Sequence, residues 1–245
     1  MAKAKTAVVV KEAAQLPVSI QEQLKAETEA LASRIQAPGG DKIKLTKKKT
    51  FKLPDGTEHP GPLTVVILDF VSYNAYFDKP YKEGEPASPA CFALGLEPTS
   101  LAPSAKSPDK QAEKCSVCPN DQFGSKGDGK ACRNHRKLAV IAGHGETAGD
   151  PSSPMWVLEV SPTGLKAFDA YVSSVRTQFG VPPIGVVTDV FFDPSSDFQS
   201  LRFGNPQPNP HLEMHFGRKN AARERLMTEP DVSRGAAAKK PAKKK

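Results

Sequence analysis

The sequence predicts an α+β fold that is mainly β, and three observations carry that reading. Strand-like segments rich in Val, Ile, Leu and Phe recur about six times from Ile43 onward. One well-formed internal helix falls late in that order, between strands. Between them, the stretch from Lys79 to Lys137 loses all regular pattern yet contains all four cysteines. A loop of that length inside a compact domain needs something other than a hydrophobic core to organise it.

The elements follow in order. Residues 1–40 read as an N-terminal arm and a thin amphipathic helix. Ser19 and Glu22 form a capping box, and Pro38-Gly39-Gly40 ends the run. The main domain spans 41–204. Ile43, Leu45, Phe51 and Leu53 alternate with Lys and Thr, Asp55-Gly56 marks a turn, and Leu63 to Val71 is a near-continuous buried-strand run. After the insertion at about 79–137, strand character returns at Leu138–Ala142 and Met155–Val160. Ser161-Pro162 then opens a helix with Leu165, Phe168, Val172, Val175 and Phe179 at helical spacing, closed by Gly180. Ile184–Phe192 and Gln199–Phe203 complete the strands, and 205–245 reads as a Pro-rich segment, a short helix and a basic tail. Six strands with an inserted helix match a small Greek-key barrel of the OB type, carrying a long metal-binding insertion. Rival α+β sandwiches share the same string of elements.

Composition narrows the function classes. Apolar residues make up 38% and Pro is abundant at 23 residues, which implies a core of moderate size with long loops. No window approaches the roughly 18 apolar residues of a membrane span, and Met1 to Lys11 has no signal-peptide core, so a cytoplasmic protein is expected. The net charge of +7 is concentrated: residues 231–245 hold six cations against Asp231. Two further basic clusters stand out, Lys42 to Lys52 and Lys126 to Lys137. Either can follow a phosphate backbone or serve as a solubilising face.

Cys115-Ser-Val-Cys118 has the spacing at which two thiolates converge on one metal at a tight turn. Cys91 and Cys132 supply a third and fourth ligand, completing a structural zinc site. Two disulfides are the competing reading, disfavoured in a reducing compartment. A third has Cys91 as a buried hydrophobe with His135 or His144 as ligand. Catalytic look-alikes are weak. His144-Gly145-Glu146 follows the CxxC rather than preceding it, and Gly124 to Lys130 fits GxxxxGK but continues with Ala131 in place of Ser or Thr. Asp189, Asp193 and Glu159 read better as turn and strand residues than as a nuclease centre. No catalytic residue is assigned, and a non-enzymatic protein is expected.

The stretch Cys115-Ser-Val-Cys118-Pro-Asn-Asp-Gln-Phe-Gly124, continuing to Cys132-Arg-Asn-His-Arg-Lys-Leu138, resembles a motif of tailed-phage proteins. Some of those look like OB-fold single-stranded DNA-binding proteins. Pro89 to Leu94 and the Trp156 to Thr188 region share the likeness. The resemblance implies a role in phage DNA replication, recombination or repair in the host cytoplasm, with single-stranded DNA, or RNA, and replication proteins as partners. Replicative phage binders commonly end in an acidic tail, whereas this chain ends Lys-Lys-Pro-Ala-Lys-Lys-Lys.

Single-strand binding needs aromatic faces for bases and cations for phosphates. Tyr73, Tyr76 and Phe123 are the expected stacking residues, with Tyr81 as a further face. Lys126, Lys130, Arg133, Arg136 and Lys137 are the expected phosphate contacts. The rival reading is a zinc-dependent transcription or replication adaptor that uses the insertion and the terminal arms to bind proteins. Aromatics and lysines sharing one concave face favour the first reading; exposed apolar residues around the cysteines favour the second. Oligomeric state is not legible.

Overall fold

A computed structural model describes residues 41–79 and 88–232, together with Ile20, Gln23 and Glu27. Residues 1–40 form one unit and 41–245 a second. In the first, the helix expected from Ser19 is described only at Ile20, Gln23 and Glu27, which are helical and exposed. Tyr81, Lys82 and the basic tail lie outside the described residues.

The second unit is built on one strand. The apolar run from Leu63 continues to Tyr76 as β4, fourteen residues long, and its burial is almost unbroken because both sheet faces are covered. Before it comes a small meander, β1 (Lys44–Leu45), β2 (Phe51–Lys52) and β3 (Glu58–His59). The remaining strands are β5 (Cys91–Gly95), β6 (Cys132–Ala142), β7 (Trp156–Val160), β8 (Val186–Phe192) and β9 (Leu201–Pro208). The main sheet has six antiparallel strands in the order β7-β6-β4-β8-β9. Beyond the end of β8, β5 takes its place beside β4: Leu63–Val66 pair with β8, and Ser72–Tyr76 pair with β5.

This is the expected mainly-β α+β class, but the sheet is open. The strands at its two ends, β7 and β9, do not pair with each other, so the expected OB-like closed barrel is not formed among the described residues. Both faces are instead packed against other elements, which protects an open sheet without closure. A bulge in β4 between Ile67 and Asp69 exchanges the positions that point to each face. The front face carries Leu63, Val65 and Ile67 before the bulge, and Phe70, Ser72, Asn74 and Tyr76 after it.

Helix α1 (Leu165–Phe179) covers the front face with Phe168, and the meander adds Ile43 and Phe51 to the same core as Leu138, Val140, Leu158 and Val160. The helix begins as expected, after a 3-10 turn at Pro162–Gly164. Gly180 ends it at φ 68, its N–H donating to the Arg176 carbonyl. On the back face, Ala222 and Leu226 of α3 (Lys219–Leu226) pack on Val66, Leu68, Val71, Ala139 and Ile141. Arg223 Nε meets Asp69 Oδ2 at 2.9 Å, and Arg225 pairs with Asp41. The segment from residue 205, expected to follow the domain, belongs to the same unit as the sheet and carries the end of β9, α2 (Leu212–Gly217) and α3.

The stretch expected to be irregular also contains structure. β5 and the first half of β6 lie within it, and the connection between them, 96–131, contains three short 3-10 turns. Arg133, Asn134, His135, Arg136 and Lys137 conceal a strand because neither face at that end of β6 is apolar.

Phe51 is fully buried, its ring centred 4.6 Å from that of Phe192. Replacing it with Ala is expected to cost about 3 to 5 kcal/mol in denaturant unfolding, the range for a large aromatic removed from a packed core.

Candidate metal centre and nucleic-acid interface

Strand register brings the first two cysteines together. Tyr76 pairs with Cys91 on one side and Cys132 on the other, so all three stand in one row on the front face. Asn74, Ala93 and Asn134 form the next row on that face. The connection from β5 to β6 folds over both rows through two 3-10 turns, Cys115–Val117 and Pro119–Asp121. The Cys115 N–H donates to the Leu101 carbonyl at 2.9 Å, and the Cys118 N–H to the Cys115 carbonyl at 3.1 Å. Ala93, Leu101 and Cys115 make a small apolar floor beside them.

All four cysteines are free thiols, each between 6% and 8% exposed. They line one cavity of about 10 Å³, with room for about one small atom or ion, together with Asn74, Tyr76 and Asp121. Burial, with Asp121 beside them, pushes the Cys115 thiol up to about 11 and the Cys132 thiol up to about 12. The thiols are gathered without converging: among the described residues, no three His, Cys, Asp or Glu groups stand in a metal-holding arrangement.

Sequence reasoning missed Asp121. Its carboxylate accepts from Asn134 Nδ2 at 2.9 Å, Lys130 Nζ at 3.1 Å and Asn74 Nδ2 at 3.4 Å, tying the cysteine turns to β4 and β6. An acid placed three residues after Cys118 was the only signal available.

The expected nucleic-acid residues do not share one face. Tyr76 and Arg136 are on the front, and Tyr73, Arg133 and Lys137 on the back, because side chains alternate along β4 and β6. Tyr73 is 8% exposed and packs with Ala75 and Phe92, its ring lying 4.1 Å from Lys137 Nζ. Tyr76 lines the cysteine cavity, and Arg136 Nη2 lies 3.7 Å from Asp169 of α1. These three side chains are committed to the fold rather than presented to a ligand. Phe123 is different: it is 80% exposed on the cysteine loop, with Lys130 Nζ 5.2 Å from its ring centre and Lys126 exposed nearby in the chain. Exposed Arg133 lies 5.5 Å from the ring centre of Phe77.

The back face also holds a charged group that was not foreseen as a unit. Lys42 pairs with Glu159, and His135 Nδ1 lies 3.1 Å from Glu159 Oε1. That His135 nitrogen has no hydrogen-bond partner, so the contact is electrostatic rather than a directed bond. Burial lowers the pKa of His135 in spite of Glu159. Burial also lowers that of Lys137 and raises that of Tyr73. It pushes the Glu159 carboxyl up as well, but Lys42, His135 and Lys137 together draw it below its ordinary value.

The catalytic look-alikes do not assemble. His144 and Glu146 are exposed on a turn, and Gly124 to Lys130 closes a tight loop in which the Gly124 N–H donates to the Gly129 carbonyl. Asp189 is hydrogen-bonded to Thr64 and Asn205, and Asp193 caps the turn at Ser195.

Compared with known proteins, the chain matches no family, no curated protein and no solved structure.

Replacing Asp121 with Ala is expected to cost about 1.5 to 3 kcal/mol, because three donors, one of them charged, lose their acceptor. Denaturant unfolding, followed beside thiol labelling of Cys115 and Cys118, checks it: the labelling should quicken as the turns detach.

Proposed function

We propose that the protein is a non-catalytic single-stranded DNA-binding protein whose cysteine loop is stapled by one structural zinc ion. The observation that carries the binding reading is the exposed rim at the end of β4, where β5 and β6 begin. There Phe123 stands out in solvent near exposed Lys126, with Lys130, paired to Asp121, against its ring, and Phe77 lies beside Arg133. An aromatic face paired with cations suits bases that stack and phosphates that need neutralising.

Zinc fits the donor set. Four buried thiols line one small cavity in a chain segment with little apolar core, and their number and kind are those of a four-cysteine structural site, although they must draw closer to share one ion. Cys91, Cys115, Cys118 and Cys132 would hold the ion, and binding would supply folding energy that the loop lacks. An OB-like ancestry remains part of this reading: an antiparallel sheet is bent by a bulge, and α1 is inserted late in the chain. RNA would satisfy the same chemistry, and the 2′-hydroxyl arm of a binding assay separates the two.

One observation favours the adaptor reading. Val117 is 69% exposed on the first cysteine turn, close in the chain to exposed Phe123, so the loop presents apolar surface as well as charge. The two readings differ in what Phe123 does.

Two results are expected. Elemental analysis of protein purified without chelator should find about one zinc per chain; no metal together with four freely reactive thiols would contradict the site. Phe123→Ala should cost about 1 to 3 kcal/mol in single-strand affinity at any salt concentration with an unchanged melting temperature, since stacking is not screened. Lys126→Ala and Arg133→Ala should weaken binding at low salt only. Unchanged affinity in the Phe123 variant would turn the loop toward a protein partner.

A further inference from the structure

The lysine cluster between residues 42 and 52 is only partly used by the fold. Six lysines and no acid occur there. Lys42 pairs with Glu159, and Lys49 Nζ donates to the Ser196 carbonyl at 2.7 Å. Lys44, Lys47, Lys48 and Lys52 are exposed. Register sets Lys44 directly opposite Lys52 across β1 and β2, an arrangement in which like charges repel. Glu58 lies opposite Lys52 in the same row and offsets that repulsion in part.

The hairpin turn repeats the pattern. Lys49 takes φ 57, a left-handed conformation that Gly or Asn adopts with less strain. Three lysines in succession thus occupy a turn that favours another residue type. The core-facing positions of the hairpin are Leu45, Phe51 and Leu53, so exposed Lys44, Lys48 and Lys52 are not part of that core.

The hairpin also lies on the same side of the sheet as the cysteine loop. Ile43 and Phe51 pack in one core with Leu138 and Val140, and along β6 these residues share their face with Arg136, Asn134 and Cys132. From Val140 to Asn134 is roughly 20 Å along the strand, at about 3.3 Å per residue.

We infer that the outward face of the β1–β2 hairpin, Lys44, Lys48 and Lys52, is a second contact surface for a phosphodiester backbone. It takes the same nucleic-acid strand that the cysteine loop holds, and so rests on the single-strand-binding reading above. The loop supplies the stacking ring and the hairpin supplies charge alone. A strand must be long enough to pass over the elements that cover the front face between them before it touches both.

The test titrates the full chain with oligothymidylates of about 4, 12 and 24 nucleotides, which bracket the roughly 4 to 16 nucleotides one such domain covers. Each titration is run at several salt concentrations. Lys44→Gln/Lys52→Gln should bind the shortest strand as the parent does and lose most of the parent's gain on the longest. Its salt slope on the longest strand should fall by about 1.4, the value for two phosphate contacts on single strands. Lys44→Arg/Lys52→Arg should restore both, and the melting temperature of either variant should match the parent's. A Gln variant with the parent's affinity and slope on every length overturns the inference while leaving the loop's role intact. Loss of polyglutamate binding without loss of oligonucleotide binding overturns it in favour of an acidic protein partner. A parent chain that binds none of the strands removes both this inference and the function on which it rests.

Discussion

The pairing of Tyr76 with Cys91 on one side and Cys132 on the other is the constraint on which the site depends. Two strands that are distant in sequence are locked to the end of β4, and two thiols are fixed in one row on a buried face. The connection between those strands then has little choice of path. It must cross that face to return, and it does so in two tight turns that bring Cys115 and Cys118 over the same cavity. Asp121 secures the crossing by gathering one donor from β4 and two from the start of β6 and its approach. What projects beyond is Phe123 with its lysines, presented on a loop whose base is held while its tip is solvated.

The bulge at Ile67 gives this arrangement its second property. By exchanging faces midway along β4, it lets one strand serve an apolar core at its start and a polar site at its end, both on the front of the sheet. Cover is divided accordingly: α1 and the meander lie over the apolar start of that face, and the β5–β6 connection covers its cysteine end. On the back, the same alternation sets Tyr73 and His135 beside the charged pair Lys137 and Glu159. Arg133 and Phe77 remain at its outer margin.

Much of the fold was legible because its signals are local. The apolar run from Leu63, the helix between Pro162 and Gly180, and the strand of Val186 to Phe192 each announce themselves by spacing and by the residues that end them. β5 and the start of β6 were hidden, since Cys91 to Leu94 is too short a run to read and Arg133 to Lys137 shows no period. Barrel closure was misread for another reason: counting strands says nothing about which edges meet. The cysteines were legible as a group from Cys115-Ser-Val-Cys118. Which of the aromatics is exposed was not, because choosing among Tyr73, Tyr76 and Phe123 requires knowing which side of a strand faces water. Hydrophobic pattern cannot give that where both faces are mixed. Asp121 shows the same limit, its role arising from partners 47 and 13 residues away in the chain.

The central claim is that a metal held by the cysteines organises the surface that binds single strands. Measuring oligothymidylate affinity before and after chelation, with the β-sheet signal followed by circular dichroism in the same samples, tests it most directly. The account requires affinity to fall by at least tenfold while the sheet signal persists, and to return when zinc is restored. Undiminished binding by chelated, metal-free protein would contradict it.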